Sequence, residues 1–179
     1  MGVDAVSHAG SDVTALNIAV LTVSDTRTLA EDSSGQFLCD ALQQAGHALF
    51  DRQLIKDDLY LLRAVVAAWI ADDSVDAVLI TGGTGFTERD VTPQAVRPLF
   101  DREIDGFSAV FHRLSYDEIE TSTLQSRALA GYANKTVVFC LPGSTGACRT
   151  AWNGVIALQL DSRHKPCNFV PHTRAPSRA

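Results

Sequence analysis

No apolar run in this chain of 179 residues approaches the length that crosses a bilayer. The opening MGVDAVSHAGSDVTA has neither a basic start nor an apolar stretch, which argues against a secretory leader, and Val6 stands where a myristoylation signal wants Ser or Thr. Cations are the scarcer charges: 15 Lys and Arg against 21 Asp and Glu leave a net charge of −6. Nucleic acid and anionic membrane would be repelled by that balance, so neither is expected as a partner. An anionic substrate stays admissible, because backbone amides and a few local cations outweigh a global sign. Cys39, Cys140, Cys148 and Cys167 show no CxxC spacing. They are expected to be free core thiols and not disulfides or zinc ligands, a usage that fits a reducing cytoplasm. The expectation is a soluble, cytoplasmic protein.

With 46% apolar residues, the chain is long enough for one well-buried domain and short of two. Residues 1–14 are small and polar and are expected to be disordered, 15–173 to form the single domain, and 174–179 to be a flexible end. LNIAVLTV is a β-branched run ending in the loop SDTRT, and DSSGQFLCDALQQAG has helical apolar spacing closed by Gly46. HALFDRQLI alternates as a strand. DDLYLLRAVVAAWIAD is an amphipathic helix with Asp57 or Asp58 as its cap. DAVLITGG is again a buried strand. This order predicts an α/β fold with a mostly parallel sheet and crossover helices. After the glycines, Thr92 is expected to cap a short helix with Pro93 at its first position. FSAVFHRLSYDEI and STLQSRALAGY both read as helical. KTVVFCLPGSTGACRTAW repeats strand, turn and helix, the helix starting near Ser144. Trp152 and Ile156 suit either the core or a neighbouring subunit.

Ligands of parallel α/β sheets lie beyond the carboxyl ends of the strands. SDTRT, TGGTGFTERD and LPGSTG all fall there and offer bare amides and hydroxyls suited to phosphates. Gly82, Gly83 and Gly85 permit positive φ and close approach of a ligand, while Thr81, Thr84 and Thr87 add hydroxyls. No Lys follows in the GK[ST] position, and the spacing is GGxG, so neither a Walker loop nor a dinucleotide fingerprint is present. With Thr92 as cap, Asp90 is left without an evident structural task. Asp57 and Asp90 at one sheet edge suit Mg²⁺ on a polyphosphate, a cation that takes one or two carboxylates plus substrate oxygens. Asp25 is a third acid there, and Ser24 is a phosphate donor or part of an ordinary turn. Ser126 and Arg127 offer a hydroxyl and a planar fork for phosphate; the alternative for Arg127 is a surface ion pair. Ser144 lacks the GxSxG elbow and no Ser-His-Asp set is visible, which disfavours nucleophilic hydrolysis.

ITGGTGFTERDVTPQAV, FDREIDGFSAVFHRLS, TSTLQSRALAG, LPGSTGACRTAW and DSRHKPCNFVPH together resemble the molybdenum cofactor biosynthesis protein B family, the B-type branch of the MogA-like molybdopterin-binding fold. The similarity runs from about residue 14 to 173. It implies a three-layer α/β/α subunit in a homotrimer or hexamer, and binding of molybdopterin. It also implies adenylyl transfer from Mg-ATP to molybdopterin, giving adenylyl-molybdopterin and pyrophosphate, alongside other enzymes of molybdenum cofactor biosynthesis. Carried over by motif, Gly82, Gly83, Thr84 and Gly85 match the pterin- and phosphate-binding loop, and Asp90 matches the catalytic acid. Asp57 aligns with the acid of an IPDD-like segment, with Lys56 replacing the usual Pro. Ser24 and Asp25 match the first strand-end motif, and Pro142, Gly143 and Ser144 match the last. Two other functions compete: a non-catalytic molybdopterin carrier or scaffold, and a phosphate-responsive regulatory module.

Overall fold

The first strand, β1 (Asn17–Val23), sends its side chains alternately into two separate cores. Ile18 and Val20 join one, and Ala19, Leu21 and Val23 join the other. That period of two is strand geometry, and apolar residues on both faces mark a strand covered by helices on each side. These relations come from a computed structural model, which describes residues 13–178. Five more strands follow: β2 (Ala48–Ile55), β3 (Ala77–Thr81), β4 (Arg102–Glu103), β5 (Leu129–Ala133) and β6 (Thr136–Leu141). Their order in one sheet is β2-β1-β3-β6-β5-β4. The first four in that order run parallel, and β5 and β4 are added antiparallel.

Helices α1 (Ser33–Gln44), α2 (Leu59–Ala71), α3 (Thr92–Val96), α4 (Asp105–Ile119) and α5 (Thr145–Ala151) divide between the faces. Leu38 and Leu42 of α1, Phe107 and Phe111 of α4, and Cys148 and Ala151 of α5 pack on Leu79 and Phe139. Leu62, Val66 and Trp69 of α2 and Ala95 and Val96 of α3 cover the opposite face. The result is the expected three-layer α/β/α arrangement with a mostly parallel sheet. A π-helical turn, Trp152–Ile156, extends α5 and carries Trp152 and Ile156 into the first core, so both belong to the subunit interior.

Some expectations give way. The stretch read as helical after α4 holds a short 3₁₀ turn, Glu120–Gln125, and then β5. Pairing decides it: β5 completes an antiparallel ladder with β6, and at Gly131 a Cβ would lie 2.2 Å from the Phe100 ring. Cys39, Cys140 and Cys148 are buried thiols, but Cys167 is exposed. The disorder expected for 1–14 lies, over residues 1–12, outside the described residues. The Thr14 amide donates to Ser162 Oγ at 3.0 Å, so that position is tied to the domain.

The segment expected to be a flexible end is tied to the domain through Arg174 and Arg178. Arg174 is buried; its Nη1 donates to the Val75 carbonyl and to Thr136 Oγ1, and its Nε pairs with Asp73. Arg178 pairs with Asp76, whose side chain has no solvent exposure and also accepts the Asn17 amide at 2.8 Å. A carboxylate buried at the amino ends of the strands needs a cation, and the tail supplies it. Deleting residues 174–179 is expected to destabilise the fold by about 3 kcal/mol, as breaking a buried pair does. In an Asp76→Asn background the same deletion should cost clearly less. Equal losses in both backgrounds, read by urea unfolding, would contradict the pairing.

Candidate functional site

Four parallel strands deliver their carboxyl ends to one edge, where the loops after β1, β3 and β6 meet the residues following β2. The turn after β3 is the narrowest part. Gly82 and Gly83 have φ of 106° and 65°, values that side chains disfavour. A Cβ at Gly82 would lie 2.1 Å from the Val23 carbonyl oxygen, and one at Gly83 would lie 2.3 Å from Thr92 Oγ1. Gly85 does not take the positive φ expected of it. Its missing side chain instead leaves room for Asp90, whose Oδ2 would sit 2.8 Å from a Cβ there. Gly143 packs directly on the Gly82 backbone, joining the β6 loop to the β3 loop.

Around this turn lies a polar cleft of about 500 Å³. Of the sequence-predicted residues, Ser24, Asp57, Gly82, Gly83, Thr84, Gly85, Asp90, Ser126, Pro142, Gly143 and Ser144 line it. Ser24 Oγ accepts the Thr26 and Arg27 amides, and Ser144 Oγ accepts the Ala147 amide as the cap of α5. Ser126 lines the cleft, and its Oγ is buried without a hydrogen-bond partner among the described residues.

Four predicted residues lie outside it, among them Thr87, whose hydroxyl donates to Asp90. Thr81 is fully buried and donates to the Pro142 carbonyl at 2.9 Å, fixing the last loop from behind. Asp25 is held by a two-pronged ion pair to Arg89 and accepts the Asp57 amide. Arg127 reaches carbonyls and not an anion: Nε donates to Gly85 O at 2.8 Å and Nη2 to Asp90 O, with the guanidinium over the Phe86 ring. It clamps the shape of the glycine loop. Sequence reasoning missed Arg27, which lines the cleft; its signal was its place in SDTRT, immediately after β1.

The acids divide their tasks. Asp58 caps α2, accepting the Tyr60 and Leu61 amides at 2.9 Å each, which releases Asp57 from that duty. Asp57 accepts only the Val91 amide, at 3.2 Å, among the described residues. Burial pushes its carboxyl above the ordinary aspartate value of 3.8; the Val91 bond opposes this and the charges of Asp90 and Asp25 add to it. Asp90 is not idle: its Oδ2 accepts both the Thr87 amide and hydroxyl. Burial raises its pKa, but the Thr87 bonds, the Gly85 amide and the Arg127 charge together hold it below the ordinary value. Thr92 is not a cap, since its hydroxyl donates to the Gly82 carbonyl at 2.9 Å.

Among the described residues, no group of three or more His, Cys, Asp or Glu is placed to hold a metal alone. The donor set fits a divalent cation that brings substrate oxygens with it: two carboxylates, one with its charged form destabilised by burial and, to a lesser extent, by the acids beside it, which a cation would relieve.

Residues 19–162 match the family described as "Probable molybdopterin binding domain". The chain belongs to that family. It is 55% identical over 168 residues to molybdenum cofactor biosynthesis protein B of Escherichia coli K12, covering 94% of this chain and 99% of the relative. Among solved structures, one described as molybdenum cofactor biosynthesis protein B superposes with a TM-score of 0.79 at 44% identity, covering 82% of this chain and 91% of that one. A tungsten cofactor synthesizing protein from Pyrococcus furiosus gives 0.69 at 34% identity, over 78% and 89%. No helix among the described residues is long and apolar enough to cross a membrane.

Because the Asp57 pKa is raised by folding, the folded state prefers this group protonated. Its ionisation weakens the fold as pH climbs from the unfolded value through the folded one, and not at lower pH. Asp57→Asn keeps an acceptor for Val91 and removes the charge. The variant is expected to melt higher than the parent at about pH 8, with the difference vanishing towards about pH 3. A constant difference across that range, in thermal unfolding without metal, would contradict the assignment.

Proposed function

We propose that this chain acts in molybdenum cofactor biosynthesis, binding molybdopterin in the cleft and transferring an adenylyl group to it from Mg-ATP, as a homotrimer or hexamer. The observation that carries the reading is that Asp57 and Asp90 share one cleft with the amides of Gly83 and Thr84, which bond nothing among the described residues. A terminal phosphate oxygen of molybdopterin would attack the α-phosphorus of ATP. The bond from that phosphorus to the oxygen bridging the β-phosphate would break, and pyrophosphate would leave. Such a transfer needs alignment and charge neutralisation and no covalent intermediate with the protein.

Each residue has a part in that chemistry. The Gly83 and Thr84 amides and Ser126 Oγ would donate to phosphate oxygens. Asp57 and Asp90 would hold Mg²⁺, which when bound offsets the charge of the polyphosphate. Thr87 and Arg127 keep Asp90 ionised and its loop fixed, so the carboxylate is ready without rearrangement. Val110, Tyr116 and Ile119 leave exposed apolar surface on α4, which supports an oligomer; sedimentation at the monomer mass of 19.3 kDa would contradict it.

The test is incubation with molybdopterin and Mg-ATP, following adenylyl-molybdopterin. The parent should form product. Asp90→Asn should lower turnover by about a hundredfold or more while retaining molybdopterin affinity, since the lost interaction belongs to the transition state. Pterin binding without product in the parent would replace the transferase reading with that of a carrier. Unchanged turnover in Asp90→Asn would remove that residue from the chemistry.

A further inference from the structure

Arg27 is the one Lys or Arg among the residues lining the cleft, and it makes no ion pair among the described residues. Its Nη1 donates to the Gly143 carbonyl at 3.0 Å and to Ser34 Oγ at 3.2 Å. Ser34 is buried and donates in turn to Asp32 Oδ1 at 3.3 Å. Asp32 has no exposed side-chain surface and is anchored by the Gly35 amide, the Thr22 hydroxyl and Arg52 Nη2. A surface arginine is thus tethered to the core through a buried serine and a buried acid. Its Nε and Nη2 hydrogens bond nothing among the described residues, although the guanidinium carries five donors in a rigid fork.

The cleft is polarised as a result. Arg27 sits at the Gly143 end of the turn, where Gly143 packs on Gly82, whereas Asp57 and Asp90 lie against Gly83 and Gly85. A phosphate monoester beside the two carboxylates would be repelled, but a metal–polyphosphate would not. We propose that Arg27 is the phosphate-binding cation of this cleft. It places the monoester of the acceptor substrate at the Gly143 end and leaves the acid end to the metal–nucleotide, with Ser34 and Asp32 as its positioning residues. The identity of the monoester rests on the molybdopterin reading above; the anion site itself does not.

The experiment titrates inorganic phosphate and molybdopterin, separately and without metal, into the parent, Arg27→Gln, Arg27→Ala and Ser34→Ala, with thermal unfolding as a check on folding. Arg27→Gln keeps a polar amide on a shorter side chain but removes the charge and the Nη1 contacts to Gly143 and Ser34, so it stays informative if the alanine variant fails to fold. The parent is expected to bind both probes, and Arg27→Gln to lose about tenfold or more on each together with part of the salt dependence, as loss of a charged hydrogen-bond donor implies. Ser34→Ala should lose a smaller factor on both. If the parent binds molybdopterin and Arg27→Gln binds it equally, the Arg27 site is overturned and the pterin reading stands. If phosphate binding depends on Arg27 but molybdopterin does not bind, the site stands and the pterin reading falls. If neither probe binds the parent, both are overturned.

Discussion

At Gly82 and Gly83 the chain passes so close to the Val23 carbonyl and the Thr92 hydroxyl that no side chain fits, and this close passage brings three loops into one cleft. Each neighbour is tied to that turn. Thr92 donates to the Gly82 carbonyl, the Gly82 amide donates to Leu141 O, and the Thr92 amide donates to Gly83 O. The ends of β1, β3 and β6 are therefore locked to one another by backbone contacts, and whatever these loops carry is held in fixed relation. Preorganisation of this kind lets amides and carboxylates act on a ligand without first moving.

Around that turn, residues of similar chemistry are separated into structural and available roles by their partners. Asp58 caps α2, Asp25 is committed to Arg89, and Asp32 anchors the start of α1, which leaves Asp57 and Asp90 as the acids facing the cleft. The arginines divide in the same way. Arg89 and Arg127 are engaged within the loops, and Arg27 keeps donors to spare. A net negative chain can therefore present a local cation to an anionic ligand, because Asp32, the acid behind that cation, is buried and paired with Arg52.

Much of this was legible in the sequence where the signal is local. Strand periodicity and β-branched runs placed four parallel strands, and the five ordered motifs pointed to the family that the comparisons support. The strand Leu129–Ala133 was misread as helix because its identity rests on pairing with β6 and on room for Phe100 at Gly131, neither of which leaves a local pattern. Asp90 was singled out for an incorrect reason: Thr92 does not cap α3, and Asp90 does have a local task in the Thr87 turn. Asp25, Thr81 and Arg127 were assigned to a ligand because their real partners lie 64, 61 and 42 residues away. The tether of Arg27 to Gly143 spans 116 residues, which is why the cation of the cleft escaped notice.

Anomalous diffraction from crystals soaked with Mn²⁺ and a non-hydrolysable ATP analogue tests the polarised cleft most directly. A manganese peak at the Asp57 and Asp90 carboxylates, with nucleotide phosphates beside the Gly83 and Thr84 amides, is the predicted result. Manganese bound at another carboxylate, or nucleotide phosphate seated on Arg27 with the two acids bare, would contradict it.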